Sequence, residues 1–248
     1  MKTIINICLL SFFSISTFAF EMNTQVESRP CHDLNDYGEK CLSESDFNEM
    51  IDAVISNFSS AFEKHGWRLS ADKQWSSDIE NATYNWVSSN EISLVIYGGA
   101  ARSAEITKDA LGIIICHELG HVHNFVTKEG DSSLYGFEGE ADYFAASTCA
   151  KSIFKTQLVE SKVILPELIE KECYSKQNSD YCIRLSKASL AASLMRARIL
   201  NQPKPSFLTP DPNVVSESVP NTNAQCGLDT FYAAYREKVR PACWYKSY

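Results

Sequence analysis

The chain has 248 residues, 44% of them hydrophobic, and a formal charge of −8. An acidic chain without a lysine or arginine cluster excludes nucleic acid and an anionic membrane surface as partners. Length and apolar content together are enough for one domain with a buried core, expected over residues 20–248.

Met1-Lys2 is a short basic start, Ile4 to Phe13 is apolar, and Thr17-Phe-Ala19 has the small-x-small form of a leader cleavage site. Residues 1–19 therefore read as a signal peptide and place the mature chain in a periplasm or outside the cell. The apolar run is too short to span a membrane comfortably, and no later stretch is longer, so no stable membrane insertion is expected after cleavage.

Residues 20–42 read as an irregular segment pinned by Cys31 and Cys41. Ser43-Glu-Ser-Asp46 starts a helix as a capping box with Asp in the usual Glu position. Phe47, Met50, Ile51, Val54, Ile55, Phe58 and Phe62 keep helical spacing to about Lys64, and Gly66 ends the helix. Residues 67–90 read as short strands and turns. Ile92 to Tyr97 is the strongest strand, followed by Gly98-Gly99. Two readings of it stand side by side: a cleft-bordering strand that pairs with extended substrate, or an ordinary strand-to-helix turn.

Thr107 is an N-cap for a helix that carries Asp109 in its first turn and the apolar run Ala110-Leu-Gly-Ile-Ile-Ile-Cys116. That helix contains His117-Glu-Leu-Gly-His121. Histidines four apart share a helix face, so both imidazoles can reach one metal ion, and Glu118 beside them is placed to act as general base. Gly120 costs about 1 kcal/mol of helix propensity, which points to close approach of a neighbour. His123 lies about 200° round the helix from His121 and reads as a second-face or surface histidine. His32 and His65 have no partner pattern. Residues 122–137 read as an exposed loop able to act as a lid.

Phe137 to about Gln157 reads as a second helix. Glu138 and Asp142 share a face, which makes Glu138 the third metal ligand and Asp142 a carboxylate that orients a ligand histidine. Glu140 falls on the opposite side and reads as a solvated acid. Val163 to Glu172 and Ile183 to Leu200 read as helices, the proline-rich stretch 201–224 as a long irregular segment, and Leu228 to Lys238 as a last helix. Arg184, Arg196, Arg198, His123 and several tyrosines are candidates to stabilise a reaction oxyanion, and the sequence does not choose among them.

Nine cysteines leave eight once Cys8 departs with the leader, an even number that suits disulfides in an exported chain. Cys31–Cys41, Cys173–Cys182 and Cys226–Cys243 are the short-loop pairs. Cys116 and Cys149 either bridge the two metal-bearing helices or, as the favoured reading, stay buried thiols.

His117-Glu-Leu-Gly-His121 followed by Glu138-Gly-Glu-Ala-Asp142-Tyr-Phe-Ala resembles the gluzincin zinc metallopeptidases of the Ste24/HtpX family, most closely their small exported bacterial type. The resemblance covers roughly residues 91–150, with a weaker echo at Thr209-Pro-Asp-Pro and Gln225 to Thr230. It implies one Zn2+ per chain, held by His117, His121 and Glu138, with Glu118 as base and a protein or peptide as substrate. The fold expected is α+β and zincin-like, with a small sheet packed on two zinc-bearing helices and disulfide staples. Family members with several transmembrane helices differ from this chain. An envelope chaperone or scaffold that keeps a zinc site but cleaves little is the alternative reading.

Overall fold

The computed structural model describes residues 28–127, 137–154, 161–176, 178–214 and 223–243; the leader and most of the expected lid loop lie outside them. The first helix, α1 (Glu44–Glu63), starts where the sequence places it. The Asp46 N–H donates to Ser43 Oγ at 3.2 Å, and the Ser43 N–H donates back to Asp46 Oδ2 at 3.1 Å. Phe47, Met50, Ile51, Val54, Phe58 and Phe62 form its buried stripe. Gly66 then turns the chain at φ +76°, a left-handed conformation that favours glycine.

Three strands follow: β1 (Arg68–Gln74), β2 (Ala82–Ser88) and β3 (Glu91–Tyr97). Their order is β1-β3-β2, with β3 parallel to β1 and antiparallel to β2. β3 is therefore the central strand, hydrogen-bonded on both sides and buried from Ile92 to Ile96. Strand addition along β3 is ruled out, and the strand-to-helix reading of Gly98-Gly99 holds. These glycines open a one-turn helix, α2 (Gly98–Ala101), packed hard on the preceding turn. A Cβ on Gly98 would lie 1.8 Å from the Trp75 carbonyl oxygen.

The helix α3 (Lys108–Thr127) runs through the middle of the molecule and packs against α1, the edge strand β2 and the helices that follow. Thr107 caps it, with the Ala110 N–H donating to Thr107 Oγ1 at 3.2 Å. Asp109 in its first turn is clamped by Arg184, Nε to Oδ2 at 2.5 Å and Nη2 to Oδ1 at 2.7 Å. The expected helix over 137–157 is broken into α4 (Glu138–Phe144), a π-turn (Ala145–Cys149) and α5 (Ala150–Ile153).

The helices α6 (Glu167–Tyr174), α7 (Ser179–Ile199) and α8 (Ala224–Tyr235) complete the fold. Asn223 caps α8 through the Cys226 N–H at 2.7 Å, four residues earlier than expected. The proline-rich segment is fastened to α8: the Ser206 N–H donates to Gln225 Oε1 at 2.8 Å and the Asp211 N–H to Asp229 Oδ2 at 2.7 Å.

The result is α+β, with a three-stranded sheet over a helical layer and four disulfides: Cys31–Cys41, Cys116–Cys149, Cys173–Cys182 and Cys226–Cys243. The favoured expectation of free thiols at Cys116 and Cys149 is corrected, because α3 and the π-turn approach to a Cα–Cα distance of 5.6 Å. The disulfides fit an oxidising compartment. Among the described residues, no helix is long and apolar enough to cross a membrane.

Candidate metal centre

The site forms where α3 and α4 lie side by side. Gly120 makes their close approach possible, because a Cβ there would meet Ala141 Cα at 2.8 Å and its carbonyl oxygen at 2.9 Å. The disulfide Cys116–Cys149 fastens α3, one residue before His117, to the π-turn that continues α4.

On α3, the single helical turn between His117 and His121 brings their Nε2 atoms within 3.0 Å. From α4, Glu138 reaches both, with Oε2 3.2 Å from His117 Nε2 and Oε1 3.7 Å from His121 Nε2. Ligand atoms placed tetrahedrally about 2.0–2.1 Å from a zinc ion lie about 3.3 Å apart, so these separations suit one shared cation. A second trio, His117, Glu118 and His121, also brings one donor atom from each within 4.8 Å. Glu118 is ion-paired with neither imidazole, whereas Glu138 contacts both. The His-Glu-x-x-His group as a whole can bind a metal ion.

Asp142, fully buried, sits one turn past Glu138. Its Oδ1 lies 2.7 Å from His117 Nδ1, which fixes the ring with Nε2 facing the shared point. Among the described residues His121 has no such partner, and its Nδ1 is buried without a hydrogen bond.

Sequence reasoning missed one member. Arg196, near the end of α7, donates through Nη2 to Glu138 Oε2 at 2.9 Å and holds Nη1 3.6 Å from Asp142 Oδ2. A usable signal was present, since Ser189, Ala192 and Ser193 are small and buried, and Arg196 continues their helical stripe as a lone cation. Gly227 on α8 leaves room for this pairing, as a Cβ there would lie 3.1 Å from Asp142 Oδ2.

The charges are strongly coupled. Burial works against protonated His117, but Asp142 and then Glu138 outweigh it and hold the imidazole up at about 10. Burial and the neighbouring His117 push His121 down to about 3. Burial raises Glu138, yet the hydrogen bond with His117 and the charge of Arg196 keep its carboxyl well below the usual range. Burial, opposed by His117, pushes Glu118 up to about 8. A metal ligand must present a deprotonated imidazole nitrogen, so a divalent cation at the shared point would take the place of the His117 proton against the same two carboxylates.

The remaining candidates lie elsewhere. His123 stacks on Phe144 with ring centroids 4.3 Å apart, inside an aromatic group with Phe58 and Phe62. His32 and His65 are exposed. Glu140, expected to be a solvated acid, is instead mostly buried and paired with Arg240 at 2.9 Å. Arg184 is bound to Asp109, and Arg198 to Glu80 and Glu105. Tyr84 on β2 lies over the site, its ring centroid 5.8 Å from that of His121. No protein-family model, curated protein or solved structure matches this chain.

Proposed function

We propose that this chain is an exported zinc-dependent endopeptidase, and that His117, His121 and Glu138 hold the metal. The observation that carries the reading is the convergence of these three groups on one point, with Asp142 fixing the His117 tautomer from behind. Zinc bound there would acidify a water molecule and polarise the scissile carbonyl. A donor set of two imidazoles and one carboxylate is the pattern of hydrolytic rather than structural zinc.

The protein's own groups supply the rest. Glu118, one residue from His117 and without an ion pair among the described residues, accepts the proton of the attacking water and passes it to the departing amine. Arg196 balances the two carboxylates of α4, so that neither is left as an uncompensated buried charge. β2 pairs only with β3 among the described residues, and its outer edge faces away from the sheet beside the site. An extended peptide added to that edge would be aligned by main-chain hydrogen bonds, with its backbone beside His121. The likeness of HELGH and the following ExxxD to gluzincin peptidases supports the same reading, as the four disulfides support export.

The test compares wild type with Glu118→Gln for zinc content and for cleavage of casein or a peptide library. One zinc per chain in both, with cleavage only in wild type, is expected. Absence of zinc from wild type, or cleavage that survives in Glu118→Gln, would overturn it.

A further inference from the structure

Hydrolysis of a peptide bond leaves one requirement that the three metal-facing groups and Glu118 do not meet. The carbonyl oxygen gains charge as water attacks, and a preorganised hydrogen-bond donor beside it lowers the barrier. The candidates separate cleanly by what they already touch. Arg184 and Arg198 are spent on Asp109 and on Glu80 with Glu105, and His123 lies in the aromatic core behind α3. Tyr143 donates to the Lys238 carbonyl, Tyr181 to the Ala146 carbonyl and Tyr232 to Glu172. Arg196 stands at the site but is committed to Glu138 at 2.9 Å, on the α4 side.

Tyr84 differs on each count. It lies on the edge strand, in register with Leu94 of the central strand, and its ring leans over His121 at 5.8 Å with an interplanar angle of 32°. Its hydroxyl makes no hydrogen bond to any described residue, although the ring is half-buried. Its place on β2 and the contact of its ring with His121 put it beside the candidate metal ligands. A phenol offers one O–H donor.

We propose that Tyr84 is a catalytic residue whose phenolic O–H donates a hydrogen bond to the scissile carbonyl oxygen from the β2 side, opposite Glu138. The phenol keeps its proton throughout; the only proton that moves is the one Glu118 carries from water to the amine. This rests on the endopeptidase reading above. It also explains why the edge strand matters twice. A peptide paired with β2 is aligned by the strand's main chain, and the same strand brings the donor to the carbonyl it has aligned.

Tyr84→Phe removes the hydroxyl and keeps the ring over His121. Three quantities decide the matter in wild type and variant: zinc per chain, kcat and KM on a cleaved peptide, and the Kd of a phosphinic peptide that mimics the tetrahedral geometry. The expected result is one zinc in both proteins, an unchanged KM, a kcat lower by about 10²–10³-fold, and a weaker phosphinic peptide Kd. A kcat and Kd within about threefold of wild type would overturn the assignment. Loss of zinc from Tyr84→Phe would overturn it too, by making the tyrosine a prop for His121. Zinc-loaded wild type that neither cleaves peptides nor binds the phosphinic peptide would defeat the endopeptidase reading itself, an outcome distinct from the other two.

Discussion

Gly120→Ala tests whether the site depends on how closely α3 and α4 lie. Two effects of similar size oppose each other. Alanine is the better helix former by about 1 kcal/mol, which alone would stabilise α3. The added Cβ, however, would sit 2.8 Å from Ala141 Cα and 2.9 Å from its carbonyl oxygen. These are backbone atoms and cannot rotate away. Ordinary contact at about 3.5 Å requires α4 to retreat by roughly 0.6 Å, an overpacking cost of about 1–3 kcal/mol. The net expectation is a loss of about 0–2 kcal/mol in stability. The larger effect falls on the metal, because α3 carries both histidines and α4 carries Glu138. A retreat of that size would stretch the 3.2 Å separation between Glu138 and His117 to about 3.8 Å, away from the roughly 3.3 Å of tetrahedral ligands. Zinc affinity, measured by competition with a chromophoric chelator, should fall about tenfold or more, and urea unfolding of the chelated protein gives the stability term. Unchanged zinc affinity together with a gain of about 1 kcal/mol would refute the reasoning, by showing that α4 yields freely and that the glycine keeps no gap open.

Two further perturbations bear on the same helices. Arg196→Met leaves the Glu138 and Asp142 carboxylates without their cation; the chelated protein should lose about 3–5 kcal/mol in urea unfolding, and the zinc-loaded protein distinctly less, since the metal then supplies positive charge. An equal loss in both would sever Arg196 from the metal centre. The double variant Cys116→Ala with Cys149→Ala opens a loop of 33 residues, which on chain entropy costs about 3–4 kcal/mol, read as a lower Tm. Insensitivity of Tm to this change would mean the bridge contributes nothing that packing does not already supply.

Much of this was legible in the sequence because it is local. Ser43 and Asp46 are three residues apart, and the α1 stripe follows the turn of a helix; both are properties of short windows. The metal pair is local as well, being one turn of α3. What failed was relational. Ile92 to Tyr97 reads as the strongest strand because it is apolar on both faces, and burial on both faces is what a central strand has. The edge strand beside the site is β2, whose exposed Asn85, Val87 and Ser88 weaken its signal, so signal strength marks the central strand and not the edge. Arg196 escaped for a related reason: it is 54 positions beyond Asp142, and only the packing of α7 on α3 brings it to the site. The Cys116–Cys149 bridge needs the same close approach that Gly120 permits, which single-helix reasoning weighs as a propensity cost and nothing more.

The centre is built from two helices that electrostatics alone would not hold together. Glu138 and Asp142 are both turned inward, and a pair of carboxylates on one helical face repels when desolvated. Three independent devices answer this. Asp142 is bound to His117 across the interface, Arg196 reaches both carboxylates from α7, and Cys116–Cys149 locks α3 to the π-turn that continues α4. Only Arg196 touches an atom at the shared point, Glu138 Oε2, so His117 Nε2, His121 Nε2 and Glu138 Oε1 remain directed at it. A site whose ligands are positioned before the ion arrives binds without first paying to order the helices. The same division matches the burial pattern: Asp142 is sealed, while Glu118 and Tyr84, the two side chains proposed to touch substrate, keep part of their surface exposed.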